Sequence, residues 1–205
     1  MKKKLLEILK NWPKNYISIL DLKYRLCASS DAISSLLKRA VKDGSLIRLK
    51  RDFYIITSKG NPNTFELAAL MYGPSYISIE SSLSFHGWIP ESVPTICSMC
   101  TKKPKILETP LGIFTYYNVP TKIFHVGLTN INGIFFMAEP WKALADLIYL
   151  KKRKWISVLA LSNDLRIDVE VIQNSNLELL QILATTYPNN RTKSALKILL
   201  KDLTI

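Results

Sequence analysis

Apolar positions recur with a helical period through most of the first 45 residues and then give way to short strand-like runs. Leu5, Ile8, Leu9 and Trp12 fall on one side of a segment whose other side is lysine, which predicts a helix over residues 2–11 stopped by Pro13. After Tyr16 and Ile17, Ser18-x-x-Asp21 has the form of a capping box and opens a short helix whose Ile19, Leu22 and Leu26 face the same core. Ser29 and Ser30 stand where a cap accepts from the first free N–H groups of a third helix. Ile33, Leu36, Leu37, Ala40 and Val41 supply its buried stripe, and Gly44 permits a left-handed stop. Residues 46–49 and 53–56 then read as two strands of a hairpin that turns at Lys50-Arg51-Asp52.

A capped amphipathic helix followed by a hairpin is the order of a recognition helix and its wing, so residues 1–60 are expected to be a winged helix-turn-helix. The polar face of the third helix is Ser34, Ser35, Lys38, Arg39 and Lys42, and Arg48, Lys50 and Arg51 extend it into the hairpin. Short hydroxyl side chains near a helix start can reach base edges in a major groove, and lysine or arginine further along reaches phosphates or guanine. The rival reading is a solvated helix face; the adjoining hairpin favours the DNA-binding one.

Ser58-Lys59-Gly60-Asn61-Pro62 is rich in turn formers and is taken as a domain boundary, giving domains 1–60 and 61–205. Beyond it the pattern is mixed. Pro62 suits the first turn of a helix carrying Phe65, Ala68, Ala69 and Tyr72, and residues 79–86 read as a short helix closed by Gly87. Strands are expected over 93–101, 113–119, 123–128 and 134–138. Helical spacing returns at Pro140 with a stripe of Trp141, Leu144, Ala145 and Ile148, ending in Lys151-Lys152-Arg153-Lys154, where cations complement the helix dipole. Two more helices are expected over 177–186 and 192–203. The expected class is α+β, a winged helix-turn-helix followed by a mixed α/β C-terminal domain.

Charge sharpens this division. The chain carries +12 overall, but residues 1–60 hold 14 Lys or Arg against 5 Asp or Glu, a net of +9, whereas residues 61–205 hold 14 against 11, a net of +3. A concentrated positive potential attracts a polyanion by counterion release, so double-stranded DNA is the leading partner and an anionic membrane surface the second. No uncharged apolar run approaches the ~18 residues of a spanning helix. Met1-Lys2-Lys3-Lys4 imitates the basic end of a signal peptide, but Glu7 and Lys10 interrupt the apolar stretch behind it, and a cytoplasmic location is expected.

Catalytic chemistry finds little support. His86 and His125 have no recognisable nucleophile or carboxylate motif beside them; His86 fits a helix end, bonding the last turn's carbonyls or filling a core edge, and His125 a half-exposed strand position. Asp168 and Glu170, two apart in an expected strand, would share a face, but Ile172 stands where a metal-dependent nuclease wants lysine. They read as solvated carboxylates. Glu139 suits a helix start and Asp146 a buried or capping role. Cys97-Ser98-Met99-Cys100 has metal-like spacing, yet an i, i+3 pair in a strand points to opposite faces, and with Cys27 the three thiols form no even disulfide framework. Phosphate-cradling glycine loops are absent. No enzyme, metal or cofactor is expected. Trp88, Phe114, Tyr116, Tyr117, Phe135 and Phe136 could line a pocket, which leaves one alternative, a winged-helix regulator whose C-terminal domain binds a small effector.

Residues 76–90, Tyr76-Ile77-Ser78-Ile79-Glu80-Ser81-Ser82-Leu83-Ser84-Phe85-His86-Gly87-Trp88-Ile89-Pro90, resemble the motif that opens the C-terminal domain of the AbiEi antitoxin family. Thr109-Pro110-Leu111-Gly112-Ile113-Phe114 resembles that family's strand-opening turn, and residues 138–149 resemble its helix of the form A-x-P-E-K-A-L-x-D-L-x-Y. Two positions depart from the pattern: Asp52 stands where glycine is usual in the wing turn, and Trp141 where glutamate is common, which weakens any polar role at 141. The resemblance implies a type IV toxin–antitoxin antitoxin that represses its own operon at inverted repeats and counters a nucleotidyltransferase-like toxin, often without a stable toxin complex. Lys102, Lys103, Lys105 and Lys151, Lys152, Arg153, Lys154 would then offer a basic face to a toxin's anionic substrates. One winged helix reads few base pairs, and the chain has no coiled-coil heptads, so a monomer that pairs on DNA is expected.

Overall fold

The computed structural model describes residues 2–60, 62–91 and 93–204. The chain divides into two compact units, Met1–Leu67 with Leu107–Gly112, and Ala68–Ile106 with Ile113–Ile205. The class is α+β.

The first unit runs α1 (Lys2–Asn11), β1 (Tyr16–Ser18), α2 (Ile19–Leu26), α3 (Ser30–Lys42), β2 (Leu46–Lys50) and β3 (Phe53–Ile56). Its three strands form an antiparallel sheet in the order β1-β3-β2, with Tyr16 opposite Ile55 and Leu46 opposite Ile56. Local side-chain chemistry sets the boundaries. The Ser18 hydroxyl accepts from the Asp21 N–H at 3.2 Å while the Asp21 carboxylate accepts from the Ser18 N–H at 2.8 Å, so the capping box closes on both sides. Replacing Ser18 by Ala is expected to cost about 1 kcal/mol in urea unfolding. Ser29 caps α3 by accepting from Ala32, and Gly44 leaves it at φ +77°. Asp52 takes the left-handed geometry of the hairpin turn at φ +64°, which aspartate tolerates better than most residues. Leu5, Leu9, Ile17, Leu22, Ile33, Leu37 and Ile56 meet in one small core. Val41, expected in the buried stripe, is exposed, because the core is already filled by Leu36, Leu37 and Ala40.

The remaining elements are α4 (Thr64–Met71), β4 (Ser75–Ile77), α5 (Ile79–Phe85), β5 (Thr95–Cys100), β6 (Lys105–Thr109), β7 (Gly112–Asn118), β8 (Leu128–Ile131), β9 (Phe135–Ala138), α6 (Pro140–Lys151), α7 (Val158–Leu165), α8 (Val169–Gln173), α9 (Leu177–Thr186) and α10 (Asn190–Leu203). The larger sheet is mixed, in the order β6-β7-β5-β4-β9-β8, with β5/β7 and β4/β9 parallel.

Several expectations are corrected here. The helix expected from Pro62 starts two residues later, because the Asn63 side chain accepts from the N–H groups of Phe65 and Glu66 and so caps it. Leu67, Ala68 and Met71 are its buried positions; Phe65, Ala69 and Tyr72 are half-buried. No strand covers 123–128. A 3-10 turn at Thr121–Ile123 follows Pro120, Phe124 is helical, Gly127 takes φ +66°, and pairing begins only at Leu128. His125 is therefore an exposed turn residue. Residues 168–172 are not a strand either: Asp168 caps α8, accepting from the Glu170 N–H at 3.0 Å, so the two carboxylates do not share a strand face.

Helix α6 is buried on every side from Trp141 to Ile148 rather than along one stripe. Two charges lie inside it. Lys142 and Asp146 are both fully buried, one turn apart, with Nζ 2.7 Å from Oδ1. The other carboxylate oxygen accepts from Tyr76 Oη and Ser78 Oγ, each at 2.8 Å, and Tyr187 Oη donates to Oδ1 at 3.1 Å. Burial, and then the adjacent Asp146 charge, push the Tyr76 and Tyr187 hydroxyls far above their ordinary range, so both remain donors. The Lys142 ammonium also lies over the rings of Tyr76 and Tyr187, at 5.2 and 5.4 Å. A side chain at Gly127 would come within 3.0 Å of Lys142 Cβ, so glycine there serves close packing as well as its positive φ.

Candidate nucleic-acid interface

Helix α3 presents the side chains singled out from sequence on its exposed face. Ser35, Lys38, Arg39 and Lys42 are exposed and Ser34 is half-buried. Lys38 and Lys42 make no ion pair among the described residues. Arg39 Nε donates back to the Ser35 carbonyl at 3.4 Å, leaving the rest of its guanidinium to solvent. In the hairpin, Arg48 Nε lies 3.4 Å from the Lys50 carbonyl, Lys50 Nζ sits 5.8 Å from the Phe53 ring, and Arg51 is 89% exposed at the tip, 3.7 Å from Asp52.

Two acids of this unit are occupied in local structure. Asp21 closes the capping box, and Asp43 accepts from Ser45 and pairs with Lys2 at 3.0 Å. Hydrogen bonds from Ser45, and then the Lys2 ammonium, hold the Asp43 carboxyl down at about 2. With these two carboxylates taken up by a cap and a turn, and with Lys38 and Lys42 outnumbering the exposed Asp31 on α3, net positive potential is left on the helix and hairpin. Sequence reasoning gave α2 only a core role and missed its outer face, where Leu20 and Tyr24 are 61% and 85% exposed beside Lys23 and Arg25. The signal was present as an apolar pair at i, i+4 opposite the buried Leu22 and Leu26.

The basic residues of the second unit are more heavily used. Lys102 Nζ donates to the Gly73 carbonyl, and Lys102 and Lys105 both lie over the Tyr72 ring, at 5.5 and 5.1 Å. Tyr72 Oη donates to the Lys103 carbonyl at 3.0 Å. Lys151 pairs with Glu80, and Arg153 binds Asp164 with both contacts from Nη1, at 3.1 and 2.8 Å. Lys103, Lys152 and Lys154 remain exposed without an ion pair among the described residues.

The other candidates take structural places. His86 Nε2 lies 3.1 Å from the Ala138 carbonyl, across to β9 rather than within its own last turn. Cys97 and Cys100 are buried free thiols and Cys27 an exposed one; burial pushes the Cys97 thiol up to about 11. Among the described residues no group of His, Cys, Asp or Glu is placed to hold a metal ion. The six aromatic residues do not gather around one space: Phe114, Tyr116 and Phe135 are core, Tyr117 is half-buried, Phe136 is exposed, and Trp88 packs edge-on against Trp141 at 5.5 Å. Trp141 donates to Ser175 Oγ at 2.8 Å and is fully buried, a core role. Among the described residues no helix is long and apolar enough to cross a membrane. No protein-family model matches the chain, and no curated protein matches it.

Proposed function

We propose that residues 1–60 are a winged helix-turn-helix that binds double-stranded DNA at an operator with inverted repeats, and that the chain is an antitoxin of the type its motifs resemble, repressing its own operon and countering a nucleotidyltransferase-like toxin. The observation that carries the DNA reading is the arrangement α1-β1-α2-α3-β2-β3 on a β1-β3-β2 sheet, with the unpaired cations of α3 and the exposed Arg51 of the hairpin on its polar positions. The antitoxin reading is supported by the way two of its motif stretches meet: Tyr76 and Ser78 from one and Lys142 and Asp146 from the other close a single buried network. The third stretch forms the β6–β7 turn, where the Thr109 hydroxyl accepts from the Leu111 N–H at 3.1 Å and donates to the Gly112 carbonyl at 2.9 Å.

The two activities separate by mutation in the full-length protein. Lys38→Ala, Arg39→Ala and Arg51→Ala together are expected to release repression of a reporter fused to the chain's own promoter while still restoring growth of cells expressing the toxin from the adjacent reading frame. Loss of rescue along with repression would show that the division of labour is wrong. An adjacent frame that encodes no nucleotidyltransferase-like protein would remove the antitoxin reading and leave the DNA reading standing.

A further inference from the structure

Strands β5 and β7, helix α5 and the end of α6 line an open cavity of about 490 Å³ within the second unit. Parallel pairing sets Cys97 beside Thr115 and Met99 beside Tyr117. Thr95 and Cys97 on β5 and Thr115 and Tyr117 on β7 therefore fall on one face of the sheet, and all four line the cavity. Glu80 from α5 and Lys151 from α6 form its charged wall and pair with each other, while Ile89 and Leu165 supply apolar surface.

The hydroxyls are the informative groups. Thr115 is 8% exposed, and its hydroxyl has no hydrogen-bond partner among the described residues; those of Thr95 and Tyr117 have none either. Several buried hydroxyls of this unit are bonded, Ser81 to the Thr95 carbonyl at 3.1 Å, Ser162 to the Ile167 carbonyl at 2.7 Å and Tyr116 to the Ala68 carbonyl at 2.8 Å, whereas those of Ser75 and Ser98, which do not line the cavity, have no partner among the described residues. Thr115 is buried and Thr95 and Tyr117 are half-buried, and three hydroxyls without a protein partner that converge on one open space offer hydrogen bonds to a polar occupant. The charged wall says which kind. The Glu80 and Lys151 side chains are 25% and 49% exposed, and a pair so open to water is worth only ~0–1 kcal/mol. Parting them costs little if each finds a new opposite charge. The remaining carboxylates of the wall are committed elsewhere, Glu91 to Arg166 and Asp164 to Arg153 and Trp155.

We propose that this cavity binds a free zwitterionic α-amino acid, its carboxylate on Lys151, its ammonium on Glu80, its remaining polar atoms on the Thr95, Thr115 and Tyr117 hydroxyls, and its side chain against Ile89 and Leu165. The site uses no residue of α3 or the hairpin and stands or falls separately from DNA binding.

Calorimetric titration of the full-length protein without DNA, with each of the twenty common amino acids in turn, is the test. At least one should bind one-to-one and raise the melting temperature, and its amide and its decarboxylated amine should each bind at least about tenfold more weakly, the loss of one charge-assisted bond. Thr115→Val should weaken binding about tenfold while the ligand-free melting temperature holds or rises, since an unpaired hydroxyl becomes a methyl of similar shape. Tyr117→Phe, at a more exposed position, should weaken binding in the same direction. A purely structural role for these hydroxyls would give the opposite pattern. Absence of binding by every amino acid at millimolar concentration overturns the proposal, as does binding that both hydroxyl variants leave unchanged.

Discussion

Asp146→Ala is expected to lower the stability of the protein by about 3–5 kcal/mol, the usual cost of breaking a fully buried ion pair by removing one partner. The loss falls on several groups at once. Lys142 Nζ would be left in the core with no carboxylate to pair with, and the hydroxyls of Tyr76, Ser78 and Tyr187 would lose the acceptor they share. Lys142→Met should cost less, because Asp146 retains three hydroxyl donors and methionine fills the space of the lysine stem. The combination Lys142→Met with Asp146→Leu should cost less than Asp146→Ala alone, since apolar replacement of a whole buried pair is often close to neutral. Urea unfolding of the four proteins checks the ordering. If Asp146→Ala lost no more than an exposed substitution, the network would not be what holds α6 against β4 and α9.

The second large effect concerns DNA. Lys38→Ala, Arg39→Ala and Arg51→Ala together should weaken duplex binding roughly a hundredfold at about 0.15 M salt, since each phosphate contact contributes ~0.9 to the slope of log K against log salt and three contribute about 2.7. Fold is not at stake, as all three side chains are exposed and none contributes to the core of the unit. Ser34 and Ser35 should behave differently. Their replacement by Ala should leave the salt dependence intact and alter which sequences are selected from a randomised duplex pool, because hydroxyls at a helix start read base edges rather than phosphates. A selection returning the same sequences for the serine variants and the parent would remove base reading from that end of α3.

What was legible in the sequence was what local chemistry decides. Ser18 with Asp21, Ser29, Gly44 and Asp52 mark their boundaries through bonds and dihedrals within a few residues, and the structure places them there. Misreadings came where two local signals compete or where the partner is distant. Phe124, His125 and Val126 alternate like a strand, but Pro120 and Gly127 on either side turn the backbone first. Val169, Val171 and Ile172 have strand propensity, yet the Asp168 cap starts a helix. β4 is three residues long and β6 is an edge strand with three exposed positions, so neither shows the alternation of a half-buried strand. The all-round burial of α6 and the pairing of Lys142 with Asp146 depend on β4 and α9, elements far apart in the chain. The hydroxyl-lined cavity was hidden for the same reason, because Thr95 and Thr115 become neighbours only through the parallel register of β5 and β7.

Salt dependence is the signature of duplex binding by the positively charged helix and hairpin proposed for residues 1–60. Binding of the full-length protein to the DNA upstream of its own reading frame should give a straight line of log K against log salt with a slope of several negative units, and the Lys38, Arg39 and Arg51 triple variant should flatten that slope by up to ~2.7. A slope that is the same in both proteins, or a parent protein whose affinity for duplex DNA does not change with salt, would contradict it.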